Sequence, residues 1–197
     1  VSLLFYNGLV TIKENYYGTL KFSIPNYAIR ELYWGLFAGE ILRITGSNDD
    51  LSSDELDLIN LGLTGNLLPW VSKIENVLSE LSRRDARGFD EKYIKLLFVV
   101  FAQRGNKYII KSELEVKGGY IDLLLLNKKD VALPYQFMLE FKYLKKSDEH
   151  LLSVKMDEAH NQLRTYCDDE IIKGLSHLKK FAIVFVGTTP HITEVSL

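Results

Sequence analysis

Two apolar runs, GYIDLLLLN (119–127) and PYQFMLEFKYL (134–144), constrain this chain more than anything else in it. A strand that is apolar at consecutive positions buries both faces, so each run belongs inside a sheet covered by helices on either side. Yet each run carries charge: Asp122 in the first, Glu140 and Lys142 in the second. A charge in such a strand is costly unless something pairs with it. Glu140 and Lys142 stand two apart, so on a pleated strand both side chains emerge on one face. The plain reading of that pair is an exposed face bearing a salt bridge. The sharper reading is a metal site: if the two runs pair, Asp122 and Glu140 converge on one divalent ion with Lys142 beside them. Hard carboxylate oxygens suit Mg2+ or Mn2+, which keep several waters and bind through one or two carboxylates plus substrate phosphate oxygens.

The flanking periodicities give the order α-β-β-β-α-β, an α/β class with a mixed sheet flanked by helices. DEKYIKLLFVVFAQRG (90–105) reads as a helix capped by Asp90 and closed by Gly105. KYIIKSELEV (107–116) reads as the first strand, VKMDEAHNQLRTYCDDEII (154–172) as a helix, and FAIVFVGTT (181–189) as a final buried strand. The polar, basic break SRRDARGFD (82–90) sets a boundary near residue 86. Before it, residues 1 to about 25 read as short strands with breaks at Gly8 and Gly18. IPNYAIRELYWGLFAGEIL (24–42) starts a helix with Asn26 as N-cap. SNDDLSSDELDLINLGL (47–63) is a polar linker running into a short helix ended by Gly62 or Gly65. LPWVSKIENVLSELS (68–82) is a helix with Trp70, Ile74, Val77, Leu78 and Leu81 on one face. No chemistry is legible in these first 86 residues.

Composition removes several classes. Lys plus Arg is 24 against Asp plus Glu 26, which excludes a DNA-coating protein with a global positive field but leaves room for an enzyme with a local basic rim. Lys145, Lys146, Lys179 and Lys180 are the candidates for such a rim. The single cysteine, Cys167, excludes internal disulfides and cysteine-rich zinc sites and fits a reducing, cytoplasmic compartment. No apolar run approaches the roughly 20 residues of a membrane helix, so no membrane partner is expected. His150, His160, His177 and His191 show no zinc spacing, and no G-x-x-x-x-G-K-[ST] loop is present. The chain opens on VSLLFYNGLV without an initiator Met and is expected to be a piece of a longer protein.

The stretch SELEVKGGYIDLLLLNKKDVALPYQFMLEFKYLKK (112–146) resembles the core of the PD-(D/E)XK nuclease superfamily. More narrowly, the chain resembles the branch found C-terminal to predicted AAA-type ATPases in bacteria and archaea. LLFYNGLVTIKE and LKFSIPNYAIRELYWGLF look like the segment linking that ATPase to its nuclease-like domain, and FDEKYIKLLF like the helix that opens the fold. The resemblance implies a restriction-endonuclease-like fold over residues 87–197, a linker and helical region over 1–86, an upstream ATPase partner, and Mg2+- or Mn2+-dependent hydrolysis of DNA phosphodiesters. It places the catalytic core on Asp122, Glu140 and Lys142, with Asp122 and Glu140 as metal ligands. It adds Glu91 in the opening helix, the Ser112–Glu113 pair, and Gln162 within an Ala159-x-x-Gln162-x-x-x-Tyr166 pattern. Ile121 stands where the superfamily has a proline.

The residues themselves are compatible with these supporting roles without requiring them. Ala159, Gln162 and Tyr166 share a helical face, so Gln162 either hydrogen-bonds a metal's water or a phosphate, or makes an ordinary helix–sheet contact. Glu91 and Lys95 have the spacing of a common helix salt bridge. Of Glu113 and Glu115 on one strand face, Glu113 is the favoured candidate. Two further readings stay open: a non-catalytic nucleic-acid-binding or partner-docking module of the same fold, and a purely structural cluster of Asp122, Glu140 and Lys142.

Overall fold

The computed structural model describes residues 2–26, 29, 32, 33, 36, 51–80 and 90–196. Near the start, helix α1 (Ser2–Tyr6) precedes a hairpin of β1 (Thr11–Tyr16) and β2 (Thr19–Ser23). Helices α2 (Leu51–Thr64), α3 (Leu68–Glu80) and α4 (Glu91–Gly105) follow, then strands β3 (Tyr108–Val116), β4 (Gly119–Asn127) and β5 (Gln136–Leu144). A 3-10 turn (Lys146–Leu151) leads into α5 (Leu152–Tyr166) and the short α6 (Glu170–Lys173), and β6 (Leu178–Val186) and β7 (Thr189–Glu194) complete the chain.

The two apolar runs are β4 and β5, and β5 is the central strand of a five-stranded sheet ordered β3-β4-β5-β6-β7. Every neighbouring pair is antiparallel except β5 and β6, which run parallel. A parallel pair needs a long crossover, and α5 supplies it. Pleating then sorts the side chains of β5. Phe137, Leu139 and Phe141 join Leu58, Trp70, Ile74, Phe98 and Phe101 of the preceding helices in one core. Met138 joins Ala159, Leu163 and Tyr166 of α5 in another. Both faces are thus covered, as the expected restriction-endonuclease-like mixed sheet requires. The Trp70–Phe98 and Phe98–Phe141 rings sit 5.0 Å and 4.7 Å apart, tying α3 and α4 to β5. Burying each such ring contributes roughly 1.5–3 kcal/mol. Helices α2 and α3 therefore share one core with the sheet; the boundary expected near residue 86 lies outside the described residues.

Local structure departs from the sequence reading in three places and decides between two alternatives in a fourth. SLLFY forms one helical turn rather than a strand, because the Asn7 amide donates to the Leu3 carbonyl at 2.8 Å and Gly8 turns the chain out at φ +70. Helix α2 passes through Gly62 and ends before Gly65, whose φ is +69. Helix α4 is closed by Asn106 in the left-handed conformation, donating to the Ala102 carbonyl, rather than by Gly105. Gly105 instead makes room: a Cβ there would stand 2.6 Å from Leu58 Cδ1. The TPHITE segment forms an edge strand, β7, beyond the expected final strand. Asn26 does accept from the Ile29 N–H at 3.0 Å, as an N-cap would, but most of the helix expected after it lies outside the described residues, as does Leu81. No helix among the described residues is long and apolar enough to cross a membrane.

Candidate active site

The backbone ladder between β4 and β5 pairs Leu125 with Phe137, Leu124 with Met138 and Leu123 with Leu139, and stops there. The next pair in that register is Asp122 opposite Glu140. Where the ladder stops, the Asp122 side chain takes over the acceptor's part: its Oδ2 accepts the Phe141 N–H at 2.9 Å. A buried N–H left without an acceptor costs about 1–3 kcal/mol, so Asp122 has a structural task as well as any chemical one. Its second oxygen, Oδ1, faces the ammonium of Lys95 from α4 at 3.2 Å.

Glu140 and Lys142 emerge side by side on β5, and Lys142 Nζ donates to Glu140 Oε1 at 2.9 Å. The pair is buried rather than displayed: Glu140 is 2% exposed, Lys142 6% and Asp122 7%. Glu140 Oε2 is buried with no hydrogen-bond partner among the described residues. Burial first, then the charge of Asp122, pushes the Glu140 carboxyl up to about 7, with Lys142 opposing. For Lys142 burial works against the charged form, yet Glu140, Glu91 and Asp122 together hold its ammonium above the ordinary lysine range. Lys142 is therefore a cation at neutral pH, suited to supplying positive charge.

The supporting residues arrive from three further elements. Asp90 caps α4 by accepting from the Lys92 and Tyr93 N–H groups, which fixes the first turn and with it Glu91. Burial raises the Glu91 carboxyl, and its charge feels Lys142, Asp122 and Lys95. Lys95 does not merely serve Glu91: its ammonium pairs with Glu113 on β3 and with Asp122. Glu113 sits mid-strand at φ +54, although Ser112 and Leu114 on either side pair regularly with Leu123 and Ile121. On α5, Gln162 Nε2 donates to the Tyr166 hydroxyl at 3.4 Å, and Gln162 Oε1 is buried without a partner among the described residues. Burial and the negative charges of Glu140 and Asp122 push the Tyr166 phenol up to about 12, which puts this end of α5 within the field of the acidic pair. Gly119, at φ +149, admits the Tyr166 ring: a Cβ there would stand 3.2 Å from it.

Among the described residues, and leaving aside Glu158, which pairs with Lys155, four carboxylates (Glu91, Glu113, Asp122, Glu140) thus share their surroundings with two ammonium groups (Lys95, Lys142), a formal excess of two negative charges. That excess, the hard oxygen donors and the unpartnered Glu140 Oε2 fit a divalent cation. Among the described residues no group of three or more His, Cys, Asp or Glu is gathered tightly enough to cage an ion. The residues suit a cation held by one or two carboxylates and completed by other oxygens. Of the rim candidates, Lys179 is engaged elsewhere, paired with Glu194 at 3.0 Å and lying over the Tyr135 ring.

The fold is of the restriction-endonuclease-like class: a mixed sheet flanked by helices. Comparison with protein families matches residues 89–195 to the PD-(D/E)XK nuclease superfamily, and the chain belongs to it. No curated protein and no solved structure matches the chain. Nucleases of this superfamily generally use divalent metals, and membership implies a nucleic-acid substrate. Lys95, which the sequence presents only as an ordinary i,i+4 partner of Glu91, is the basic residue that the fold adds beside Asp122. The one signal pointing to it was that shared helix face.

Proposed function

We propose that this protein is a metal-dependent nuclease that hydrolyses DNA phosphodiesters, with Asp122 Oδ1 and Glu140 Oε2 offered to Mg2+ or Mn2+. The observation that carries the reading is the unpartnered, buried carboxylate oxygen of Glu140 one register step beyond the Leu123–Leu139 pair, beside Asp122. When bound, a divalent ion supplies Lewis acidity to a phosphoryl oxygen and lowers the pKa of a water. Lys142 contributes an ammonium held charged by Glu140, Glu91 and Asp122, placed to stabilise negative charge growing on the phosphate and to orient the attacking water. Glu91 and Glu113 shape the field around the acidic pair, and Gln162 offers its free carbonyl oxygen to a water or phosphate. In the same reading residues 1–86 form the linker and helical region that joins an AAA-type ATPase to the nuclease domain of residues 87–197, in a cytoplasmic protein.

The test is cleavage of plasmid and single-stranded DNA by purified protein in Mn2+ or Mg2+, wild type against Lys142→Ala. Cleavage abolished by the substitution supports the reading; identical behaviour under every condition ends it. One observation favours a second reading, a non-catalytic nucleic-acid-binding or docking module of the same fold: the three central side chains are each 7% exposed or less. Calorimetry separates the two, because the non-catalytic module takes up no Mn2+.

A further inference from the structure

The ion pairs of Lys95 are left unexplained by the roles assigned so far. We propose that Lys95 is the resident counter-ion of the metal site: its ammonium neutralises Asp122 in the metal-free protein and is displaced onto Glu113 when a divalent cation enters. This rests on the metal-dependent reading above. Asp122 Oδ2 is committed to the Phe141 N–H, so Oδ1 is the oxygen left for a cation, and Lys95 Nζ holds it at 3.2 Å. A small divalent ion sits about 2.0–2.1 Å from its oxygen ligands. An ammonium kept on the same oxygen is then pressed against a doubly charged neighbour, and repulsion drives it off.

The displaced charge has a destination. The Glu113 carboxylate already contacts Lys95, and it stands 55% exposed at the outer end of the relay while the Lys95 side chain is 13% exposed. The flexible four-carbon stem of a lysine lets its ammonium shift outward without moving α4. The left-handed backbone of Glu113 is a conformation that side-chain-bearing residues adopt at a cost, and it is confined to one residue between two regular pairs. Uptake of the ion is therefore an exchange of cations, and the buried Asp122 is compensated before and after it.

Calorimetric titration of the metal-free protein with Mn2+, paired with melting curves, tests the exchange. Lys95→Gln is expected to bind Mn2+ at least roughly tenfold more tightly, since a charge at this range changes a carboxylate's cation affinity by such factors. Its metal-free melting temperature is expected to fall below that of wild type and to be regained with Mn2+. Equal or weaker Mn2+ binding by folded Lys95→Gln overturns the counter-ion and leaves the metal-dependent reading standing. Absence of Mn2+ uptake by both proteins overturns both. Glu113→Gln, at an exposed position, is a second arm that does not depend on Lys95→Gln folding. It is expected to weaken Mn2+ binding by removing the resting place, and unchanged binding overturns the proposal. Where the double variant folds, adding Glu113→Gln to Lys95→Gln leaves affinity unchanged; a further loss there also overturns it.

Discussion

The two ends of α4 carry charged clusters of different balance. At the C-terminal end, Arg104 Nε lies 2.9 Å from Asp54 Oδ2, and Lys73 Nζ reaches Asp54 Oδ1 at 2.5 Å and Asp57 Oδ2 at 3.0 Å. Lys107 pairs with Glu55 alongside. Among the described residues three carboxylates meet three cations, and Lys73 and Arg104 also lie over the Phe101 ring. Toward the N-terminal end, four carboxylates meet two ammonium groups among the described residues, and Glu140 keeps an oxygen without a partner among them. Asp54 and Glu140 are equally buried, at 2% each, so burial alone does not tell the clusters apart. Compensation does. A matched buried cluster holds helices in place, whereas a deficit of positive charge leaves electrostatic work for a ligand.

The largest expected effect breaks the acidic end alone. Lys142→Ala is expected to lower Mn2+-dependent DNA cleavage per folded molecule by roughly 10²–10⁴-fold, the range for one positioned catalytic group. At the other end, Arg104→Ala takes one cation from Asp54 while Lys73 stays, and is expected to destabilise the fold by about 1–3 kcal/mol in urea unfolding. Cleavage per folded molecule is expected to be retained there; a loss of specific activity without a loss of stability contradicts the division of labour.

Glu140→Gln sharpens the contrast through pH. In the metal-free fold the Glu140 carboxyl is raised from an ordinary 4.5 to about 7. The folded state binds more protons than the unfolded chain between those values. The contribution to stability is therefore full below about pH 4.5 and is lost as pH rises to about 7. Gln cannot ionise, so in chelator above about pH 7 the variant is expected to be more stable than wild type, and the difference is expected to vanish below about pH 4.5. Added Mn2+ is expected to stabilise wild type only. The smallest effect is at the cap: Asp90→Ala is expected to cost about 1 kcal/mol, read as a shift in urea midpoint.

What the sequence reveals follows from how local each signal is. Asp122, Glu140 and Lys142 stand out because a charge within an apolar run is conspicuous, and pairing of the two runs is the one assumption needed to bring Asp122 and Glu140 together. Lys95 is invisible for the converse reason. Its partners lie 18 and 27 residues away, while a nearer carboxylate at i−4 satisfies every local rule. The edge strand β7 is half exposed and holds Pro190, so neither continuous apolarity nor clean alternation announces it. The helical face of α3 is readable from Trp70, Ile74 and Val77, but nothing local to it says that it packs with the sheet.

Because the Asp122 carboxylate completes a hydrogen bond that the backbone itself leaves unmade, it resists loss for reasons unrelated to cutting. A descendant that had abandoned catalysis would still keep an acceptor at that position, Asp or Asn. Relief would come first at Glu140, where a neutral side chain removes a liability and breaks no strand. Decay of this fold into a binding module should therefore be traced at position 140, with position 122 a late and unreliable witness.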